Sequence, residues 1–206
     1  IGRQYFKDPW AARDEYIDLV LDRSLDAQHR FFLKHATEKA WTDRPGALRL
    51  LEMQRFAMLM YTSCGWFFDE ISGIETVQIM QYAARAAQLN KQISGVDLEP
   101  EFIKRLEAAP SNIRDLKNGA VVYQRFVLPQ KMPLEKIAAQ HAVAVLTDPT
   151  LNPNRAYDCE VKDFTHTLLT APANHLYYGE MTVFSTITLE ERHFAFVVLQ
   201  QGATSF

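Results

Sequence analysis

The apolar residues of this chain change their period at one turn-rich segment, Asp148-Pro-Thr-Leu-Asn-Pro-Asn154. Before this segment they recur every three or four positions, which is typical of helices that bury one face. After it they alternate with polar residues, as Met181 and Val183 do, which is typical of half-buried strands. We therefore predict an α+β fold, with an N-terminal helical bundle over residues 1–147 and a smaller antiparallel β region over residues 155–206.

Local start signals divide the bundle into helices. Asp8-Pro9 combines an N-cap acid with proline at the first helical position, and Ser24 is placed to cap a second helix. A third helix, over residues 48–60, is apolar around most of its circumference and is therefore expected to be central. Ser72-x-x-Glu75 fits a capping box, and the helix that it opens is expected to run to about Gln92, with Ile74 facing inward. Further helices are expected after Pro100, over residues 120–127 and after Pro133.

The β region is expected to hold three strands. An early strand covers residues 157–169, a second covers 181–189, and Glu190-Glu191 is a hairpin turn that leads into a third strand over 193–199. The chain does not begin with methionine, and it stops just after a strand-like run. We therefore expect it to be a piece of a longer protein, with a β region that is truncated at its C-terminal end.

Charge and composition exclude several classes of partner. The net charge is −3, which does not fit a nucleic-acid-binding surface. No apolar run reaches the roughly 18 residues that a membrane span needs, and no cluster of lysine and arginine indicates a membrane surface. Cys64 and Cys159 do not make a disulfide framework, so we expect two buried free thiols, with Cys64 behind Trp66. We predict a cytoplasmic protein that binds neither nucleic acid nor membrane.

The sequence contains no familiar catalytic or cofactor motif. It lacks a phosphate-binding glycine loop, a nucleophile elbow, a His-Glu-x-x-His motif and a Cys-x-x-Cys pair. His166, His175 and His193 lie in the strand region, where they are either a metal site or, as we expect, ordinary sheet residues. Asp69 and Glu70 are adjacent and diverge, so they do not make a glycosidase pair, whose acids lie roughly 5–10 Å apart. We predict no catalytic residue, no cofactor and no metal.

One segment combines aromatic side chains with acids. Trp66, Phe67 and Phe68 stand directly before Asp69 and Glu70. Aromatic faces cover the apolar face of a sugar ring, and carboxylates accept hydrogen bonds from its hydroxyls, so this pattern suits a saccharide. The alternative is that the aromatics fill a core and the acids cap a helix. A second candidate region is a helix face with no acid, which either is solvated or lines a polar cleft, and which consists of Gln78, Gln81, Arg85 and Gln88.

Residues 51–85, which include the run Cys64-Gly-Trp-Phe-Phe-Asp-Glu-Ile-Ser-Gly-Ile-Glu75, resemble a known family. So do residues 7–17 and 97–102. The family is the C-terminal domain of unknown function found in bacterial proteins similar to glycoside hydrolase family 57. The resemblance implies a parent protein whose N-terminal catalytic barrel acts on α-glucans or related saccharides. It also implies that the catalytic nucleophile and acid lie on that barrel, so that no family catalytic residue maps onto this chain.

Two functional hypotheses follow. In the first, this chain is a non-catalytic accessory domain that helps to wall the substrate cleft of the barrel, in a glycoside hydrolase or a glucanotransferase-like enzyme. Its partners are then the barrel and an α-glucan or oligosaccharide, and the candidate contacts are Trp66, Phe68, Asp69, Glu70 and Arg85. In the alternative it is a purely structural docking domain without substrate contact. An independent enzyme is disfavoured by the missing motifs.

Overall fold

The computed structural model describes residues 1–148, 150–171 and 174–201, and it has the predicted α+β architecture, with helices first and an antiparallel sheet after them. The helices are α1 Gly2–Tyr5, α2 Pro9–Asp14, α3 Tyr16–Leu21, α4 Leu25–His35, α5 Glu38–Thr42, α6 Arg44–Leu59, α7 Cys64–Phe67, α8 Ile74–Ser94, α9 Glu99–Leu106, α10 Gly119–Val122 and α11 Leu134–Thr147. A π-helical turn, Tyr123–Val127, follows α10. Short 3-10 turns span Arg114–Leu116 and Leu128–Gln130.

The strands are β1 Arg155–Ala156, β2 Cys159–Ala171, β3 Asn174–Ser185 and β4 Glu191–Gln201. They form one sheet in the order β1-β2-β3-β4, and each neighbouring pair is antiparallel. The final residues of the predicted β region, 202–206, lie outside the described residues.

The chain forms two compact units, Ile1–Lys131 and Met132–Phe206. The division lies ahead of α11, whereas the predicted bundle of residues 1–147 includes that helix. The physical reason is burial, because the apolar face of α11 shares one hydrophobic core with β2 and β3. That core consists of Ile137, Ala138, Ala142, Ala156, Cys159, Val161, Met181 and Val183.

Two of the predicted helix starts, at Asp8 and Ser24, are confirmed in the first unit. The Asp8 carboxylate accepts hydrogen bonds from the backbone N–H groups of Trp10 and Ala11. The Ser24 hydroxyl oxygen accepts one from the N–H of Ala27, at 3.2 Å. Both contacts satisfy N–H groups that have no partner inside a helix, which is why these residue types are frequent at helix starts.

The third predicted helix is central only in its first half. Leu48 and Leu51 of α6 are buried, whereas Met58, near the C-terminal end of α6, is exposed. The prediction that Ile74 packs inward is wrong, because Ile74 is exposed at the first position of α8. A second core joins α8 to the chain that follows α9, and it consists of Met80, Ala84, Leu116, Val122, Tyr123 and Val127.

In the second unit the alternation of Met181 and Val183 is confirmed, because both side chains are fully buried. The strand predicted over residues 181–189 ends earlier, at Ser185. The backbone N–H of Ser185 donates to the carbonyl of Glu190, and Leu189 adopts a positive φ of 57°, so residues 186–190 form the turn. Glu191 therefore belongs to β4 and not to the predicted hairpin turn.

In the described ranges, each helix is too short or too polar to cross a lipid bilayer.

The core of the second unit gives a stability prediction. Met181→Ala removes a fully buried side chain and leaves a cavity, so we expect a loss of about 2–5 kcal/mol in the free energy of unfolding. Val197→Ala, in the neighbouring strand but exposed, is the matched control and is expected to change stability by less than about 0.5 kcal/mol. Urea denaturation of the two variants checks both values, and equal effects would contradict the assigned core.

Candidate functional site

The aromatic segment, residues 61–74, connects α6 to α8. Helix α6 ends at Leu59, and the N–H groups of Tyr61 and Thr62 close a turn on the carbonyls of Met58 and Leu59. A single helical turn, α7, follows and contains Trp66. A helix of four residues is not stable by itself in water, so contacts with the rest of the unit must hold it.

The first of these contacts lies at Gly65. A Cβ atom added at Gly65 would overlap the side chain of Ile79, so the backbone of α7 packs directly on α8. The Thr76 hydroxyl, also on α8, donates a hydrogen bond to the Gly65 carbonyl at 2.8 Å. The position of α7 is therefore fixed by a glycine that the sequence alone did not single out.

The second contact is a set of hydrogen bonds around Glu70, which we call the Glu70 clasp: Asp69, Glu70, Ser72, Ser111 and Asn112. Glu70 Oε1 accepts from the backbone N–H of Ser72 and from the Ser111 hydroxyl, each at 2.8 Å. Glu70 Oε2 accepts from the backbone N–H of Asn112 at 2.7 Å. The Asn112 side-chain amide donates to the Asp69 carbonyl at 2.7 Å. The clasp thus joins the aromatic segment to a loop 41 residues further along the chain.

These hydrogen bonds favour the ionised carboxylate. The Ser72 side chain and then the Ser111 side chain are the largest causes, and together with the backbone N–H groups of Ser72 and Asn112 they lower the pKa of Glu70 from 4.5 to about 2. Glu70 therefore stays negatively charged throughout the neutral and mildly acidic range.

The capping box predicted at Ser72 is wrong. The N-cap of α8 is Gly73, and no side chain caps this helix end. The N–H of Ser72 is bonded instead to Glu70, two residues earlier, and α8 begins only at Ile74. Because Glu75 is not needed for capping, its carboxylate is available for another role.

Three consecutive aromatic side chains lie on the outside of the unit. Trp66 is 74% exposed, Phe67 is 75% exposed and Phe68 is 52% exposed. The rings of Phe67 and Phe68 meet edge to face, with centroids 5.1 Å apart. The interpretation that these aromatics fill a core is therefore wrong, and so is the expectation that Cys64 is buried, since its thiol is exposed and free.

A cleft of about 310 Å³ lies beside the aromatic segment and against α8. Its polar lining includes Glu75 and Gln78, which the set of candidate contacts did not contain. The sequence already indicated Gln78, because this residue belongs to the acid-free helix face that is expected either to be solvated or to line a polar cleft. The remaining lining residues are Thr62, Cys64, Ile74, Ile79 and Tyr82.

The structure brings only part of the predicted site together. Trp66, Phe68 and Asp69 are exposed next to one another in the aromatic segment. Arg85 lies further along α8, nine residues after the Thr76 contact, which is roughly 14 Å along the helix axis. Its guanidinium donates to the Gln88 side chain at 2.8 Å. We therefore place Arg85 outside the aromatic segment.

Two of the three strand histidines, His166 and His193, contact residues of other types. The ring of His193 lies 3.5 Å from the Glu180 carboxylate and 3.3 Å from the Thr182 hydroxyl. His166 packs against the rings of Phe164 and Tyr177. Within residues 1–148, 150–171 and 174–201, no three His, Cys, Asp or Glu side chains are grouped so that they could hold a metal ion.

Comparison with known proteins identifies the family. Residues 1–206, the whole chain, match the family model described as Domain of unknown function (DUF3536). The chain belongs to the DUF3536 family. Neither a curated protein nor a solved structure matches it. The aromatic segment, the Glu70 clasp and the adjoining cleft are thus features of a DUF3536 domain.

The Glu70 clasp makes a prediction about pH. Because the folded-state pKa of Glu70 is lowered to about 2, the ionised carboxylate stabilises the fold at neutral pH, and this contribution is lost as the pH falls below about 5 towards 2. We expect Glu70→Gln to be less stable than the wild type at pH 7, and we expect the difference to shrink at low pH. Urea denaturation between about pH 7 and pH 2.5 measures it.

The matched control is Glu107→Gln, which alters an exposed carboxylate at the end of α9. This variant is expected to change the free energy of unfolding at pH 7 by less than about 0.5 kcal/mol, because Glu107 is exposed. If Glu70→Gln instead keeps the same difference from the wild type across the whole range, the carboxylate charge does not stabilise the clasp.

Proposed function

We propose that this DUF3536 domain is a non-catalytic accessory domain of a bacterial, cytoplasmic, family-57-like saccharide-active enzyme, whose parent also contains an N-terminal catalytic barrel. In this proposal the aromatic segment helps to wall the substrate cleft. The observation that supports it is the position of Trp66, whose side chain is 74% exposed on a helical turn fixed at Gly65 and at Glu70. A ring held on anchored backbone loses little entropy when a ligand stacks on it.

The polar groups of the aromatic segment and of the adjoining cleft suit the hydroxyls of a sugar. Asp69 is exposed directly after the aromatic run, and Glu75 and Gln78 line the adjoining cleft. Carboxylate and amide oxygens accept hydrogen bonds from hydroxyl groups. Glu70 is not among these candidate acceptors, because three donors within its own domain already bond to its carboxylate.

The state of Glu70 also argues for a non-catalytic role. A general acid must hold its proton near the working pH, whereas a carboxyl group with a pKa of about 2 is ionised at neutral pH. A nucleophile needs an accessible oxygen, and both oxygens of Glu70 accept hydrogen bonds within the clasp. We therefore assign catalysis to the barrel and expect no α-glucan turnover by this chain alone.

A structural docking domain is the second candidate. The observation that favours it is the amount of exposed apolar surface, since Phe67, Phe68, Tyr61 and Ile74 are exposed in addition to Trp66. Several large apolar side chains exposed within one short segment are typical of a surface that binds another protein. In this candidate the aromatic segment packs on the barrel and contacts no saccharide.

Calorimetric titration of the purified chain with maltoheptaose tests the first candidate. We expect binding that Trp66→Ala weakens at least about tenfold, corresponding to ~1.4 kcal/mol. Trp10→Ala is the matched control, because Trp10 is also highly exposed but lies on α2, where Arg13 covers its ring at 4.7 Å. Circular dichroism of both variants verifies that the helices remain folded.

Two results would contradict the saccharide contact. One is an absence of maltoheptaose binding, and the other is an equal loss in Trp66→Ala and Trp10→Ala. The docking candidate then predicts that the separately purified barrel binds this chain. It further predicts that Phe67→Ser, in the exposed part of the aromatic segment, weakens that association while Trp10→Ser does not.

A further inference from the structure

A second groove lies along α3 and α6, and we call it the α3–α6 groove. Its volume is about 530 Å³, within the range of small-molecule sites. Ile17, Val20, Leu51, Met58 and Leu59 form its apolar wall, and Arg13, Asp14, Tyr16, Arg55 and Thr62 contribute polar groups. The residues that matter for its chemistry are Tyr16, Ile17, Val20, Leu51, Arg55 and Leu59.

A buried ionic network lies under this groove. Glu52 is 1% exposed, and its Oε1 accepts hydrogen bonds from the Tyr16 hydroxyl at 2.5 Å and from the Arg23 guanidinium at 2.9 Å. Burial, and then the neighbouring Glu52 carboxylate, raise the pKa of Tyr16, so its hydroxyl remains protonated and continues to donate. A buried carboxylate needs such partners because desolvation of an unpaired charge is costly.

The charges around the groove do not cancel. Arg23, the nearer guanidinium, balances Glu52, and Arg13 is paired with its neighbour Asp14. Arg55 contacts Glu52 Oε2 at the longer distance of 3.2 Å, and its side chain is 37% exposed. One positive charge, that of Arg55, is therefore in excess at the edge of an aliphatic surface.

We propose that the α3–α6 groove binds a linear alkyl chain that carries one anionic head group. The head group pairs with Arg55, and the chain lies along Ile17, Leu51 and Leu59. A saccharide does not fit these walls, because the groove has a single aromatic ring, Tyr16, whose hydroxyl is already bonded to Glu52. Charge complementarity and the aliphatic lining together select an amphiphilic anion.

This inference does not rest on the proposed saccharide function. Its residues differ from those of the cleft beside the aromatic segment, except that Thr62 lines both. Loss of maltoheptaose binding and loss of amphiphile binding are therefore separate results.

Amide chemical-shift titration of the full chain with sodium octanoate tests the proposal. We expect shifts in α3 and in the second half of α6, and an affinity at least about tenfold higher than for 1-octanol, which has the same chain length without a charge. Octyl phosphate is expected to perturb the same amides. Whichever anion binds more tightly identifies the head group.

Two pairs of variants distinguish a specific effect on octanoate binding from a general effect on folding. Arg55→Gln is expected to weaken octanoate binding at least about tenfold and to leave octanol binding unchanged. Its control is Arg125→Gln, because Arg125 also stacks on the following phenylalanine, at 5.5 Å compared with 5.3 Å for Arg55, but lies outside the groove.

The second pair lies on α3, at positions that are both exposed. Ile17→Glu places a negative charge in the groove and is expected to abolish octanoate binding, whereas Leu21→Glu, just outside the lining, is expected to retain it. The proposal is overturned by equal affinity for octanol and octanoate, or by unchanged octanoate affinity in both Arg55→Gln and Ile17→Glu. Shifts confined to other helices, or no binding of either anion, would overturn it as well.

Discussion

The exposed aromatic surface of this domain depends on the carboxylate of Glu70. Three donors, from Ser72, Ser111 and Asn112, converge on its two oxygens. The turn that carries Trp66 is too short to hold itself, so its orientation follows from this carboxylate on one side and from the contact of Gly65 with α8 on the other. Without the clasp, the aromatic side chains would be free to collapse onto the apolar surface of their own unit.

The same hydrogen bonds decide what chemistry the segment can perform. A carboxylate that is saturated by protein donors neither protonates a leaving group nor attacks a sugar, so Glu70 serves structure. In the proposed function, recognition of a saccharide rests instead with the exposed Asp69 and with the cleft residues Glu75 and Gln78. Such a division, with one acid for positioning and others for contact, is what the proposed accessory role requires.

The sequence predicts those features that depend on neighbouring residues. Asp8 and Ser24 cap helices through N–H groups two or three positions away, so the local sequence is sufficient to predict these two helix starts. Ser72-x-x-Glu75 has an equally good local pattern, yet Glu70 captures the Ser72 N–H because Ser111 and Asn112 hold its carboxylate in place. No short-range pattern contains that information. Likewise, the grouping of α11 with the sheet and the exposure of Phe67 and Phe68 depend on which surfaces meet in three dimensions.

Direct titration of the Glu70 carboxyl group by carbon-detected NMR tests the central claim, that this side chain is an ionised structural clasp. The hydrogen bonds from Ser72, Ser111 and Asn112 predict a pKa of about 2, with the amide resonances of Ser72 and Asn112 shifting at the same midpoint. A pKa close to the ordinary value of 4.5, with no coupled change at those two amides, would contradict the clasp and with it the fixed display of Trp66.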